Sequence, residues 1–484
     1  YSVDLLGGAN DVDASDTLSV DALMLTGGDA SGVMVNGNSL DIDPAAYNYL
    51  AVGESAVITY TYNVIDSNGG VVAQTATVTI NGANDGPVIA GAVTGGATED
   101  DAAFSVDMLA GATDADMSDT LNVDATSVTV VSGDASGVTV NGNSLDVDPS
   151  AYNSLAVGET ATIVYSYNII DGNGGVVAQT ATITITGEND APTISGAITG
   201  GSTEDDAAFS VDMLSGANDV DASDTLSVDA LTLISGDASG VTVNGNSLDV
   251  DPSAYDYLAV GESAIIIYNY DVTDSNGGVV AQSATITITG ANDAPTVTGN
   301  VTATIAETDS TTSVDLLAGA TDVDLSDTLS AANIVFVDNG DDNSGVAING
   351  NSLDVDTSVY DYLSAGETLI LTYTYDVVDG NGGVVAQTAI LTITGANDAP
   401  TIAGAITESF TENLPSGQVD LLQDASDVDL MDMLSVANLV LASGNAVGVL
   451  VAGDTLSVDT NAYDYLAAGE TEVIVYNYDI IDGS

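Results

Sequence analysis

The sequence predicts an all-β fold: a linear array of about five copies of one acidic β-sandwich domain, each about 104 residues long. Three observations carry this. A segment Asp-x-Asp-x-x-Asp recurs at Asp11/Asp13/Asp16, Asp114/Asp116/Asp119, Asp219/Asp221/Asp224, Asp322/Asp324/Asp327 and Asp427/Asp429/Asp432, at spacings of 103, 105, 103 and 105. A second marker, Asn-Asp-(Gly/Ala)-Pro, recurs at 84–87, 189–192, 292–295 and 397–400, and it always precedes the next acidic segment by the same distance, 29 residues from Asp to Asp. Between the markers, residues alternate apolar and polar with the two-residue period of a half-buried strand. The predicted domains are therefore 1–85, 86–190, 191–293, 294–398 and 399–484. The first is expected to lack its N-terminal part and the last its C-terminal part, so that the sequence reads as an excerpt.

Each unit can be followed element by element. After the acidic segment, Val138-Thr-Val-Asn-Gly-Asn-Ser-Leu145 places Asn-Gly between alternating stretches, and both residues tolerate the positive φ of a tight hairpin. Asp148-Pro-Ser-Ala-Tyr-Asn-Ser-Leu155 is the one stretch suited to a short helical turn. Two longer strands follow. In the first unit Ile58, Tyr60, Tyr62 and Val64 share one face, and Ala76, Val78 and Ile80 share another with Thr75, Thr77 and Thr79 opposite. Asp171-Gly-Asn-Gly-Gly175 supplies the turn between such strands in the second unit. The 103/105 alternation arises between the acidic segment and the first hairpin, with 20 residues from Asp16 to Asn36 and 22 from Asp119 to Asn141. A change of two preserves which face each side chain occupies. About seven strands per 100 residues, with turns every 8 to 12, describe an immunoglobulin-like sandwich. The four linker prolines fix φ and favour extended backbone before them, which makes the linker short and straight.

Composition narrows the chemistry. The 484 residues include 72 Asp plus Glu and no Lys, Arg or His, giving a formal charge of −72. No side-chain salt bridge can form. Two carboxylates about 4 Å apart repel by roughly 1 kcal/mol even in water, so clustered acids require cations from outside. Nucleic acid and anionic membrane surfaces are excluded as partners, because neutralising phosphate takes Lys and Arg. At 45% hydrophobic residues the chain is too apolar for a disordered acidic polymer. There is no cysteine for disulfides or thiolate metal sites, no lysine for isopeptide crosslinks, and no apolar run of the roughly 18 residues that span a bilayer. Neither an initiator Met nor a signal peptide is seen.

The second half of each unit is similar to the end of a cadherin domain and to the VCBS and cadherin-like repeats of large RTX-type bacterial surface adhesins. The residues that carry the resemblance are Tyr165-Ser-Tyr-Asn-Ile-Ile-Asp-Gly-Asn-Gly-Gly175 and Ala181-Thr-Ile-Thr-Ile-Thr-Gly-Glu-Asn-Asp-Ala-Pro192, with their counterparts along nearly the whole chain. The resemblance implies several calcium ions at each junction, held by an upstream Glu, the linker, and an Asp-x-Asp and hairpin Asp from the downstream domain. Matched residue by residue, the ligands are Asp85, Asp114, Asp116 and Asp171 at the first junction and Glu99, Asn189, Asp190, Asp219, Asp221 and Asp274 at the second. They are Glu204, Asn292, Asp293, Asp322, Asp324 and Asp379 at the third, and Glu307, Asn397, Asp398, Asp427, Asp429 and Asp482 at the fourth. The chain departs from the family in lacking its Asp-Arg-Glu ligand motif, for which Asp146 or Asp148 is the expected substitute.

Calcium takes six to eight hard oxygens in flexible geometry, which suits carboxylates and linker carbonyls whatever the family. A single aspartate is as much at home in a turn; the recurrence of the whole set at fixed offsets favours coordination. The outer Asp of each triplet, such as Asp224, stands between ligand and turn cap. Neither an EF-hand loop nor a Gly-rich nonapeptide repeat is present. Without His, Cys or Lys no nucleophile and base can be paired, and acids that recur in every unit do not make one cleft, so no enzyme is expected. Tyr47, Tyr49, Tyr255 and Tyr257 are expected to pack under the short turn rather than stack on sugars. The resemblance implies a secreted stalk at a bacterial cell surface, stiffened by calcium, projecting an adhesive tip for adhesion or biofilm. Its partners would be calcium, neighbouring repeats and other copies of itself. The alternative is a self-assembling extracellular matrix or surface-layer filament, and a third reading has the repeats bind carbohydrate directly.

Overall fold

The alternating segments form strands because the period-two pattern lets each bury one row of side chains. The computed structural model describes residues 1–483, as strands with five one-turn 3-10 helices. Among the described residues there is no α-helix, and no helix is long and apolar enough to cross a membrane.

The stretch 83–186 shows the unit. Thr160–Ile170 and Val176–Thr186 pair antiparallel in full register, from Thr160 opposite Thr186 to Ile170 opposite Val176. Val93–Thr98 joins the outer side of that hairpin in parallel, and Asn122–Val123 and Thr129–Ser132 join its other side. The opposing sheet is Val138–Asn141, Ser144–Val147 and Phe104–Asp107, all antiparallel. Between the sheets Val106, Leu145 and Val147 meet Ile163, Tyr165, Tyr167, Ile169, Ile183 and Ile185 in one core. Fully burying an aliphatic side chain of this size contributes about 1.5–3 kcal/mol. A two-residue ribbon, Val88–Ile89 with Ala112–Thr113, fastens the incoming linker beside the acidic loop.

The same two sheets recur within 188–289 and 291–394, each with its own core. Residues 2–81 form Ser2–Asp4, Ser39–Ile42 and Val33–Asn36 against Ser19–Gly27, Ser55–Ile65 and Val71–Asn81 around a fourth core. In the last stretch Gly417–Asp420, Thr455–Val458 and Val449–Ala452 make one sheet and Ser435–Ser443 with Val475–Ile481 another.

The short turn forms as expected. Asp148 accepts a hydrogen bond from the N–H of Ser150, Pro149 opens the turn, and Tyr152 drops into the core with its hydroxyl donating to the Asp134 carbonyl at 2.7 Å. Tyr47 and Tyr255 are placed likewise and donate to Asp29 and Asp237 carbonyls. Their rings are core, as expected of packing rather than sugar stacking.

The two extra residues are accommodated in two ways. In 83–186 a turn at Asp124–Ser127 splits the strand that is continuous in Ser19–Gly27 and Ser227–Ser235. In 291–394 the strand Ser330–Phe336 keeps the bulge, with Asn333 at φ 52°, and the loop after it lengthens. Both leave the pairing faces unchanged.

Candidate metal centres at the domain seams

The second, third and fourth seams are each assembled from four pieces of chain, and the second, around Asp190, shows the pattern. Glu99 lies just past the end of Val93–Thr98, which the parallel pairing places beside the end of Val176–Thr186. There its Oε1 accepts the N–H of Glu188 at 2.9 Å. The acidic loop is held by its own side chains: Asp219 Oδ1 accepts from the N–H of Asp221 at 3.0 Å, and the N–H of Asp224 donates to the Asp221 carbonyl at 3.1 Å. Asp221 then reaches back to the linker, its Oδ2 accepting the N–H of Asp190 at 3.0 Å. The glycine hairpin supplies Asp274. Its Oδ1 accepts the N–H groups of Asn276, Gly277 and Gly278 at 2.7, 2.6 and 2.9 Å, while Oδ2 accepts from the Asn189 amide at 3.1 Å.

These bonds use one oxygen of most groups and leave the other facing inward. Buried and without a hydrogen-bond partner are Glu99 Oε2, Asn189 Oδ1, Asp190 Oδ2, Asp219 Oδ2, Asp221 Oδ1 and Asp224 Oδ2. Glu99 and Asp221 are 1% and 2% exposed. An unpaired buried acceptor ordinarily costs about 1–3 kcal/mol, more when charged. A chain with no Lys, Arg or His has no basic side chain to satisfy them. Donor sets of this kind, several hard anionic oxygens and an amide oxygen, are what calcium takes.

The oxygens form two groups. One oxygen each from Asp219, Asp224 and Asp274 lies within 4.8 Å of the others, as do those of Asp322, Asp327 and Asp379 in the next seam. A second group, represented at the fourth seam by Glu307, Asp398 and Asp429, meets the same 4.8 Å limit. Charge crowding is visible in the acidities. Burial, then the Asp221 and Asp190 carboxylates, pushes Glu99 up against the hydrogen bond from Glu188 that pulls it down. Glu204 and Glu307 are raised for the same reasons. Asp190, Asp221, Asp293, Asp324 and Asp429 are also raised, first by burial and then by neighbouring carboxylates. Asp171, Asp274 and Asp379 go the other way: burial raises them, but the side-chain amide and three backbone N–H donors together outweigh it.

The other seams place the expected residues alike. At the first, Asp85 N–H donates to Asp116 Oδ2, the Asn84 amide to Asp171, and Asp114 holds Asp116. Asn84, Asp114, Asp116 and Asp119 each keep one unpaired buried oxygen. At the third, Glu204 accepts from Ala291, Asp324 from Asp293 and Asp379 from Asn292, with Asp322 under Asp324. At the fourth, Glu307 accepts from Ala396, Asp429 from Asp398 and Asp482 from Asn397, with Asp427 under Asp429.

The structure decides three points that the sequence left open, mistook or missed. The outer acids are brought into the centres while also bonded by the hairpin: Asp119, Asp224 and Asp327 accept from the amides of Asn173, Asn276 and Asn381 at 2.7 Å. Neither Asp146 nor Asp148 substitutes for the missing motif, because Asp146 sits on a strand bonded to Asn141 and Asp148 caps the short turn. The residue after that turn occupies the seam instead. Asn153 buries an unpaired Oδ1, and the following carbonyl, of Ser154, accepts the N–H of Ala222 in the next acidic loop at 3.4 Å. Tyr49, Tyr257 and Tyr362 do the same for Met117, Leu325 and Leu430. The recurrence of Asn or Asp immediately after the turn was the available signal. Asp11, Asp16 and Asp66 form the same outer cluster near the start of the chain.

The stretches 83–186, 188–289 and 291–394 each match the model of the cadherin-like domain, and the chain belongs to that family. Solved structures with similarity include the human desmocollin-1 ectodomain, at 13% identity over 98% of this chain and 93% of that one, TM-score 0.27. The protocadherin gamma B2 extracellular cadherin domains 1–5 align at 15% identity over 92% and 86%, TM-score 0.39. Drosophila N-cadherin EC1-4 aligns at 15% over 80% and 94%, TM-score 0.28. No curated protein matches the chain.

Proposed function

We propose that this chain is a calcium-stiffened extender, part of the stalk of a large secreted bacterial surface adhesin, and that the five-domain division and the four seam centres are its working parts. The observation that carries this reading is the convergence of buried, unpaired oxygens from two domains and their linker, in a protein without a basic side chain. Bound calcium supplies the missing positive charge. In the second, third and fourth seams the upstream Glu, the linker Asp and the second Asp of Asp-x-Asp would hold one ion, and in all four the first and outer Asp with the hairpin Asp another. The linker is then tied to both domains through the same carboxylates that accept its N–H groups. With the ions removed, like charges remain about 5 Å apart and repel by roughly 0.8 kcal/mol per pair even at the dielectric of water, so the seam loosens. Extracellular calcium modules bind with dissociation constants of about 0.1–1 mM, which suits an exterior location.

Small-angle scattering of the whole chain tests this. The maximum dimension is expected to be fixed and near the fully extended array in millimolar calcium, and to shorten and broaden with chelator; an unchanged profile rejects the extender. A laterally assembling filament is the second reading, favoured by exposed apolar side chains on edge strands, such as Met34 and Val35 on Val33–Asn36 and Leu450 and Val451 on Val449–Ala452. Concentration-dependent sedimentation at constant calcium distinguishes it.

A further inference from the structure

The seams share a ligand framework but differ beside it: at the linker residue before the Asn, where Glu188 is exposed to solvent and its counterparts are Ala291 and Ala396, and at two positions whose carboxylates bear on the framework acids. The first is the residue that ends the short 3-10 turn: Asn153 at the second seam, Asp256 at the third, Asp361 at the fourth. Its backbone is the same in all three, with φ of −52°, −51° and −53°, so only the side chain changes. The turn is pinned to the next domain by the carbonyl that follows it, which accepts the N–H of Ala222, Leu325 and Leu430 in turn. Asn153 shows where this side chain looks, since its Oδ1 is buried in the seam with no partner. The second position follows the buried glutamate: Asp100, Asp205 and Thr308.

We propose that the seams fill with calcium in a fixed order set by these two positions, the Asp293 seam first. The inference rests on the calcium reading above. At the Asp293 seam the shared Glu204, Asp293 and Asp324 are joined by both Asp205 and Asp256; the Asp190 seam has Asp100 but a neutral Asn153, and the Asp398 seam has Asp361 but Thr308. The framework into which these acids are added carries fully buried unpaired oxygens of its own, Glu204 Oε2 and Asp324 Oδ1 at the third seam. The added carboxylates act on it: Asp205 and Asp256 both bear on Asp293, Asp100 bears on Asp190, and Asp361 bears on Glu307. Calcium sites of one geometry are tuned by the number of charged ligands. One extra carboxylate about 6 Å from a divalent ion strengthens binding by about tenfold at the dielectric of water. A stalk built this way stiffens from the Asp293 seam outward as calcium rises, instead of all at once.

Amide hydrogen exchange on the full chain resolves the seams separately, because linker N–H groups at 188 and 190, 291 and 293, and 396 and 398 all donate into the centres. In a calcium titration, protection of 291–295 is expected at a concentration about tenfold below that for 188–192. Asn153→Asp should move the 188–192 midpoint down to join it, and Asp256→Asn should move the 291–295 midpoint up by a similar factor. The first variant gains affinity, which misfolding cannot mimic. Equal midpoints in the parent chain, or an Asn153→Asp midpoint unchanged from the parent, overturn the order while leaving calcium binding intact. Absence of protection at any linker and any calcium concentration rejects the calcium reading itself.

Discussion

The N–H of Asp293 donates to Oδ2 of Asp324 at 3.0 Å, while Asp324 Oδ1 remains buried and unpaired. One carboxylate therefore does two things. It ties a linker to the acidic loop of the domain that follows, and it keeps a second oxygen buried among other carboxylates: Asp327, Asp293 and Asp322 raise its proton affinity further once burial has done so.

Replacing Asp324 by Asn should reverse in sign between conditions. With chelator, loss of one of several crowded charges leaves the unfolding temperature unchanged or higher. In millimolar calcium, loss of a charged ligand destabilises the unit by about 1–3 kcal/mol. Differential scanning calorimetry in the two buffers makes the comparison, and an equal fall in both would assign Asp324 a purely structural role.

Gly278 closes its hairpin against the linker so tightly that a methyl group would lie 2.8 Å from Ala191 Cα and 2.2 Å from Asp274 Oδ2. Gly175 and Gly383 stand in the same position, where a methyl group would lie 2.8 Å from the Cα of Gly86 and of Ala294. Gly278→Ala is expected to cost about 1–3 kcal/mol, concentrated at the seam. Calcium-dependent protection of 188–192 should weaken while amides in the 263–289 hairpin keep theirs. Loss of protection throughout 191–293 would show that the hairpin, not the seam, bears the strain.

Core tyrosines set the alkaline limit, among them three at equivalent positions. Tyr167, Tyr270 and Tyr375 donate to the carbonyls of Met108, Met213 and Leu316 at 2.7, 2.8 and 2.6 Å. Burial, then the nearby Asp107, Asp212 and Asp315, pushes each up to about 12. Against an unfolded value of about 10, the folded state retains the phenolic protons longer, so their contribution is complete below pH 10 and is lost as pH climbs through 12. No His, Cys or Lys titrates below that range. The thermal midpoint at fixed calcium should be nearly flat from pH 8 to 9.5 and fall above 10, with the phenolate absorbance of these rings appearing only on unfolding. A steep fall already at pH 8–9 contradicts this.

Leu248 is wholly buried between the sheets of one domain. Leu248→Ala should cost about 2–5 kcal/mol. With chelator the loss should be confined to exchange within 191–293, since each repeat has its own core. Equal destabilisation of 86–190 or 294–398 in chelator would mean that the domains unfold as one.

Much of the fold was legible because strand burial has a local rule. The faces expected for Ile58, Tyr60, Tyr62 and Val64 are the buried ones, and the Asn141-Gly142 and Asp171-Gly172 turns join the strands they separate in sequence. The short turn with its tyrosine beneath was equally local, written in Asp148, Pro149 and Tyr152 within five residues. The split strand at Asp124 was not, for a two-residue insertion satisfies pleat parity wherever it falls.

The sequence by itself determined the repeat, the strand faces, and an excess of carboxylates that no side chain of the protein can neutralise; periodicity and charge are properties of the chain read in order. Only the tertiary structure decided which acids meet. Glu99 and Glu188 lie 89 residues apart, Asn189 and Asp274 lie 85 apart, and the pairing of Val93–Thr98 with the last strand brings Glu99 to the linker. The same packing draws Asp224 inward, leaves Asp146 on its strand and puts Asn153, Asp256 and Asp361 at the seams, because coordination depends on distance in space and sheets join segments whose separation along the chain carries no local signal.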